Sequence, residues 1–175
     1  MGKITFILGG ARSGKSTHAL RLAKKHRNVA FIATCHRRKD KEMEKRIRLH
    51  QKARPSHWKT YEETKDLASL FIEIGDVFDC IIIDCLTLLV SNLTLDGNSE
   101  AKIVKKIEVL LATLRKKKAK VIMVSNEVGL GIVPNNKLAR DFRDIAGKVN
   151  QIVAQEADEV FFTISGIPTK IKGGK

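Results

Sequence analysis

The residues with the clearest chemical capacity lie near the N-terminus. Gly9-Gly10-Ala11-Arg12-Ser13-Gly14-Lys15-Ser16 places three glycines, a lysine and a hydroxyl at the spacing of a phosphate-cradling loop. Gly9, Gly10 and Gly14 permit backbone conformations that aim several N–H groups inward at phosphate oxygens. Lys15 adds positive charge toward the β- and γ-phosphates, and the Ser16 hydroxyl is placed to ligate Mg²⁺. Arg12 and Thr17 flank the same loop.

Two further positions carry chemistry. The run Cys80-Ile81-Ile82-Ile83-Asp84 is an apolar strand closing on a carboxylate. Beside a phosphate loop, such an acid holds Mg²⁺ directly or through water. Asp84 could equally N-cap a helix beginning near Leu86, and the two roles are compatible. His50 shares a helical face with Met43 and Ile47, with Arg48, Lys52 and Arg54 close by. It reads either as a packed or surface residue, or as a neutral imidazole able to attack phosphorus while the cations offset developing charge. Those cations would also lower its pKa and keep the ring neutral near pH 7.

The elements that must position these groups follow from the hydrophobic pattern. Strands are expected at Ile4–Leu8, Val29–Ala33, Cys80–Asp84, Val121–Ser125 and Val160–Ile164, short apolar runs suited to a parallel sheet covered on both faces. Helices are expected near Lys15–His26, Lys41–Lys52, Lys65–Ile74, Glu100–Lys117 and Lys137–Glu156. The helix at 41–52 starts at an Asp40 cap, carries Glu42 and Glu44 in its first turn, and must end by about Arg54 because Pro55 follows. In the last helix, Leu138, Phe142, Ile145, Val149 and Ile152 form a stripe expected to pack in the core. After Gly166-Ile167-Pro168, residues Thr169–Lys172 are expected to turn back as an antiparallel edge strand. Alternating strands and helices define a layered α/β fold, here expected as one domain over residues 1–175.

Composition narrows the setting. No apolar run approaches the ~20 residues needed to cross a bilayer, and the start has no long apolar leader, so a cytoplasmic protein is expected. Cys35, Cys80 and Cys85 form no CxxC pair and suit a reducing compartment. The five histidines show no metal-ligand spacing. The net charge of +14 fits a solvated lysine-rich surface better than a nucleic-acid patch, because the run Arg115–Lys118 falls at a helix C-terminus and no aromatics interleave with the basic residues. No nucleic-acid partner is expected.

Taken in order, these segments resemble one family, the bifunctional adenosylcobinamide kinase / adenosylcobinamide-phosphate guanylyltransferase of cobalamin biosynthesis. The resemblance rests on the phosphate loop, Ile32-Ala33-Thr34, Glu42-Met43, Arg46-Ile47, His50, Arg54-Pro55, Trp58, Thr60, Glu62 and Asp84-Cys85-Leu86-Thr87. It continues through Ser125-Asn126-Glu127-Val128-Gly129-Leu130-Gly131-Ile132-Val133-Pro134, the stretch from Ala139 to Gln151, and Ser165-Gly166. Cys35, where serine or alanine is usual, and Thr94, where leucine is common, depart from the pattern.

The resemblance implies a RecA-like P-loop NTPase fold, three layers deep around a mostly parallel sheet. It implies phosphorylation of adenosylcobinamide with ATP or GTP, then GMP transfer from GTP through a covalent guanylyl-histidine at His50, with release of pyrophosphate. Lys15 is implied as the second catalytic residue. Gly9 through Ser16, Thr34, Cys35, His36, Gln51, Lys52, Ala53, Arg54, Glu62 and Asp84 match nucleotide-contacting positions, with Mg²⁺ held by Ser16 and Asp84. A homotrimer is implied as well. A small-molecule kinase without nucleotidyl transfer and a nucleic-acid-stimulated NTPase are the competing classes.

Overall fold

A computed structural model describes residues 2–35, 48 and 51–174. His36 and His50, with most of the expected helix at 41–52, lie outside the described residues; Arg48, Gln51 and Lys52 are helical.

The apolar runs form a seven-stranded sheet, ordered β3-β2-β4-β5-β1-β6-β7. Its members are β1 (Ile4–Gly9), β2 (Val29–Ala33), β3 (Lys59–Glu62), β4 (Cys80–Asp84), β5 (Lys120–Asn126), β6 (Glu159–Ile164) and β7 (Ile167–Lys172). All neighbouring pairs are parallel except β6 with β7. Among the described residues the helices with both ends placed are α1 (Lys15–Ala23), α2 (Leu67–Glu73), α3 (Leu86–Leu95), α4 (Glu100–Arg115) and α5 (Lys137–Glu156).

Side-chain alternation sorts the strands into two cores. Ile4, Phe6, Leu8, Ile81, Ile83, Val121 and Met123 pack with α2, α3, α4 and α5. Ile7, Val29, Phe31, Cys80, Ile82, Ile122 and Val124 pack with Ala19 and Ala23 of α1, Trp58 and Cys85. The result is a three-layer α/β domain with the C-terminal ends of its parallel strands along one edge, where α/β sheets bind ligands.

Within the described residues the expected elements recur, with four refinements. β3 was not anticipated: Lys-Thr-Tyr-Glu is short and mostly exposed, an edge strand without an apolar run. On α5, Leu138 is 56% exposed, so the core stripe begins at the half-buried Phe142. The C-terminal hairpin turns at Ser165 and Gly166, with φ of 50° and 83°, and Pro168 sits within edge strand β7. The N-cap of α3 is Cys85 rather than Asp84.

Candidate active site

The loop between β1 and α1 has the backbone that its glycines allow. Gly14 takes φ of 94° as the N-cap of α1, and Arg12 takes φ of 55°. A Cβ at Gly14 would come within 2.9 Å of Gly166 Cα, so a side chain there would meet backbone as well as an unfavourable φ. Ser13 N–H donates to Gly10 O, and Gly166 N–H donates to Ser13 O at 2.8 Å, so the β6–β7 turn braces the loop from outside. Lys15 is buried at 6% exposure and donates from Nζ to Gly10 O and, at 3.4 Å, to Ser13 Oγ. Burial lowers its pKa, opposed by the neighbouring Cys85 and Asp84. Its charge is thus held over the loop with few protein partners. Ser16 is half-buried at the start of α1.

Beside the loop, the strand ends align. Ala33 is level with both Glu62 of β3 and Asp84 of β4, and Gly9 is level with Asn126 of β5. Thr34 is fully buried, and its hydroxyl donates to Cys85 O at 2.7 Å while accepting from Cys85 N–H at 2.8 Å. Its side chain is therefore committed to fixing the segment after Asp84, whose peptide bond to Cys85 is cis. Asn92 Nδ2 adds a bond to Thr34 O at 2.9 Å. Burial pushes the Cys85 thiol up to about 12, so Cys85 is a packing group and not a nucleophile.

Arg54 joins this edge from the other side. Its guanidinium stacks on Phe31 of β2 and interacts favourably with Asp84 and Glu62. The turn leading into it is closed by Arg54 N–H donating to Gln51 O at 3.1 Å, with Gln51, Lys52 and Ala53 exposed. The structure thus brings Lys15, Arg54, Glu62 and Asp84 into one electrostatic neighbourhood beneath the strand ends. Half-buried Cys35 follows Thr34 on the same edge.

Sequence reasoning assigned no role to a buried polar group behind the loop: Thr87, Ser125 and Asn150, bonded to one another and to the Asn126 backbone. These positions recur in the quoted motifs, and their polar character at the ends of apolar segments was the available signal. Phe31 and the Ser165-Gly166 turn were similarly unassigned.

The arrangement can bind an oligophosphate and offset charge transferred with it. Ser16 and Asp84 offer a hydroxyl and a carboxylate, and no cluster of three His, Cys, Asp or Glu occurs among the described residues. That donor set fits Mg²⁺, which uses one or two protein oxygens and otherwise keeps water and phosphate ligands.

Among solved structures, the chain is similar to the KaiC-like protein of Pyrococcus horikoshii, with a TM-score of 0.53 at 15% identity over 92% of this chain and 70% of that one. It is similar also to the RadB recombinase, with a TM-score of 0.53 at 18% identity over 92% and 74%. With the phosphate loop in place, this architecture is that of a RecA-like P-loop nucleotide-binding protein.

Sequence comparison is more particular. The CobU family, cobinamide kinase / cobinamide phosphate guanyltransferase, matches residues 5–171, and the chain belongs to that enzyme family. It is 44% identical to the bifunctional adenosylcobalamin biosynthesis protein CobU of Salmonella typhimurium, over 95% of this chain and 98% of that protein. It is 42% identical to the CobU of Escherichia coli over 95% and 98%, and 42% identical to the CobP of Pseudomonas aeruginosa over 95% and 96%.

Proposed function

We propose that this chain carries out both activities of its family at the strand-end site. It phosphorylates the side-chain hydroxyl of adenosylcobinamide with ATP or GTP. It then transfers GMP from GTP to the resulting phosphate, giving adenosylcobinamide-GDP and pyrophosphate. The observation that carries the reading is the convergence of Lys15, Asp84 and Arg54 beside the phosphate loop, in a chain matching the family from end to end.

In the kinase step the loop N–H groups and Lys15 hold the terminal phosphates while the substrate hydroxyl oxygen bonds to the γ-phosphorus, the bond to the departing nucleoside diphosphate breaks, and the hydroxyl proton passes to solvent. Ser16 and Asp84 would hold Mg²⁺, which when bound neutralises charge on the β- and γ-oxygens. The loose transition state of phosphoryl transfer places little demand on a base. In the second step His50 attacks the α-phosphorus of GTP, and the bond to pyrophosphate breaks. A phosphate oxygen of the corrinoid then displaces the histidine. Gly9 through Ser16, Thr34, Cys35, His36, Gln51, Lys52, Ala53, Arg54, Glu62 and Asp84 form the nucleotide site, with Thr34 acting through its hold on Cys85.

The chain acts as one cytoplasmic domain within a homotrimer. Three free cysteines support a reducing compartment. Exposed Ile164, Ile167 and Ile171 on the edge hairpin support association. No helix among the described residues is long and apolar enough to cross a membrane.

The test is product analysis. Adenosylcobinamide with ATP should yield its phosphate, and added GTP should convert this to the GDP ester. The first product without the second would leave a simple kinase. Turnover stimulated by RNA at near-physiological salt would favour the nucleic-acid alternative.

A further inference from the structure

Asn126 ends β5, directly level with Gly9 of the phosphate loop. Its backbone is clamped by a ring of four hydrogen bonds. Asn126 N–H donates to Thr87 Oγ1 at 2.6 Å. Thr87 Oγ1 and Ser125 Oγ are 3.0 Å apart, and Ser125 Oγ–H donates to Asn150 Oδ1 at 2.7 Å. Ser125 has one proton, spent on Asn150, so the Thr87 hydroxyl donates to Ser125. Asn150 Nδ2 closes the ring on Asn126 O at 3.2 Å. Glu127 N–H then donates to Gly9 O at 3.0 Å, joining the ring to the loop. Thr87, Ser125 and Asn150 are each at most 6% exposed, so the ring is a satisfied buried network that fixes one peptide.

Alternation fixes the direction of the remaining side chain. Val121 and Met123 face α2–α5, as does Ser125 through Asn150 of α5. Ile122 and Val124 face α1, so Asn126 faces α1 as well. On the neighbouring strand, Ile81 and Ile83 face away from α1 and Ile82 toward it, which puts Asp84 on the same side as Asn126. With β4, β5 and β1 adjacent in the sheet, Asn126 stands between Asp84 and the loop. Its carboxamide, half-buried, makes no hydrogen bond among the described residues.

Resting on the reading above, we propose that Asn126 is a further catalytic residue of the kinase step. Its carboxamide donates to the terminal phosphate of the bound triphosphate and accepts from the attacking hydroxyl. Thr87, Ser125 and Asn150 are positioning residues that act through it. An amide suits this place because it offers donor and acceptor together without adding charge beside Asp84.

The test compares wild type, Asn126→Ala, Ser125→Ala and the double variant. Asn126→Ala should lower phosphoryl transfer about 100-fold. It should weaken a non-hydrolysable triphosphate analogue about tenfold while leaving the diphosphate within about twofold, as loss of one bond to a charged group requires. Ser125→Ala should lose part of that activity alone and nothing more in the Asn126→Ala background. Unchanged turnover and triphosphate affinity in Asn126→Ala would overturn the proposal, as would equal loss of di- and triphosphate binding. Wild type that binds triphosphate through Asn126 but never phosphorylates cobinamide would uphold this contact and reject the broader function.

Discussion

The guanidinium carbon of Arg54 lies 3.4 Å from the centroid of the Phe31 ring. This contact ties the chain four residues beyond His50 to strand β2, next to the edge strand β3, and aims a fixed cation at the strand ends. The planar fork of arginine suits both the ring and a phosphate, whereas lysine offers a point charge. Arg54→Lys should therefore raise KM for GTP about tenfold, the equivalent of one charge-assisted contact. Steady-state kinetics of GMP transfer would show it, and an unchanged KM would remove Arg54 from the nucleotide site.

Lys15 titrates against its own burial. Its folded pKa lies below the ordinary 10.5. Between that lowered value and 10.5, the unfolded chain binds more protons than the folded one. Stability of the nucleotide-free protein should thus rise with pH through this window, the reverse of the trend for a lysine stabilised by a partner. Lys15→Met should flatten that slope in denaturant melts and lower turnover about 100-fold or more. A slope that persists in Lys15→Met would assign it to other groups.

Asp84 carries the prediction about metal. Asp84→Asn keeps the shape and removes the charge, so the Mg²⁺ concentration for half-maximal activity should rise well above wild type, with kcat down about 100-fold. Chelation should silence the wild type, and Mg²⁺ should restore it. An unchanged Mg²⁺ dependence in Asp84→Asn would leave Asp84 as a neighbour of Lys15 and Arg54 only.

The loop and the C-terminal hairpin are one mechanical unit. Gly14→Ala would force a left-handed backbone on alanine and press Cβ to 2.9 Å from Gly166 Cα. A cost of about 1–3 kcal/mol is expected, together with weakened nucleotide binding. Thermal melts with and without ATP would read both. Wild-type affinity in this variant would mean that the loop relaxes without the hairpin.

Much of this could be read from the chain because the informative features are contiguous. The phosphate loop is eight consecutive residues, and buried parallel strands such as Cys80–Asp84 appear as unbroken apolar runs. β3 escapes that logic, since a four-residue edge strand of Lys, Thr, Tyr and Glu owes its place to pairing with β2 rather than to its own hydrophobicity. The ring around Asn126 escapes it for another reason. Thr87, Ser125 and Asn150 come from three elements, and only the sheet order brings them together. Leu138 fits the helical stripe, but lies in the first turn of α5, beyond the reach of the core.

In the proposed mechanism two transfers occur on one chain, the second through His50. The most direct test is incubation with GTP labelled at the α-phosphorus, comparing wild type with His50→Ala. An acid-labile, base-stable adduct is expected on wild type alone, discharged by adenosylcobinamide phosphate, with the kinase step retained in His50→Ala. Wild type that makes adenosylcobinamide-GDP without ever carrying label, or His50→Ala that still acquires it, would rule out transfer through His50.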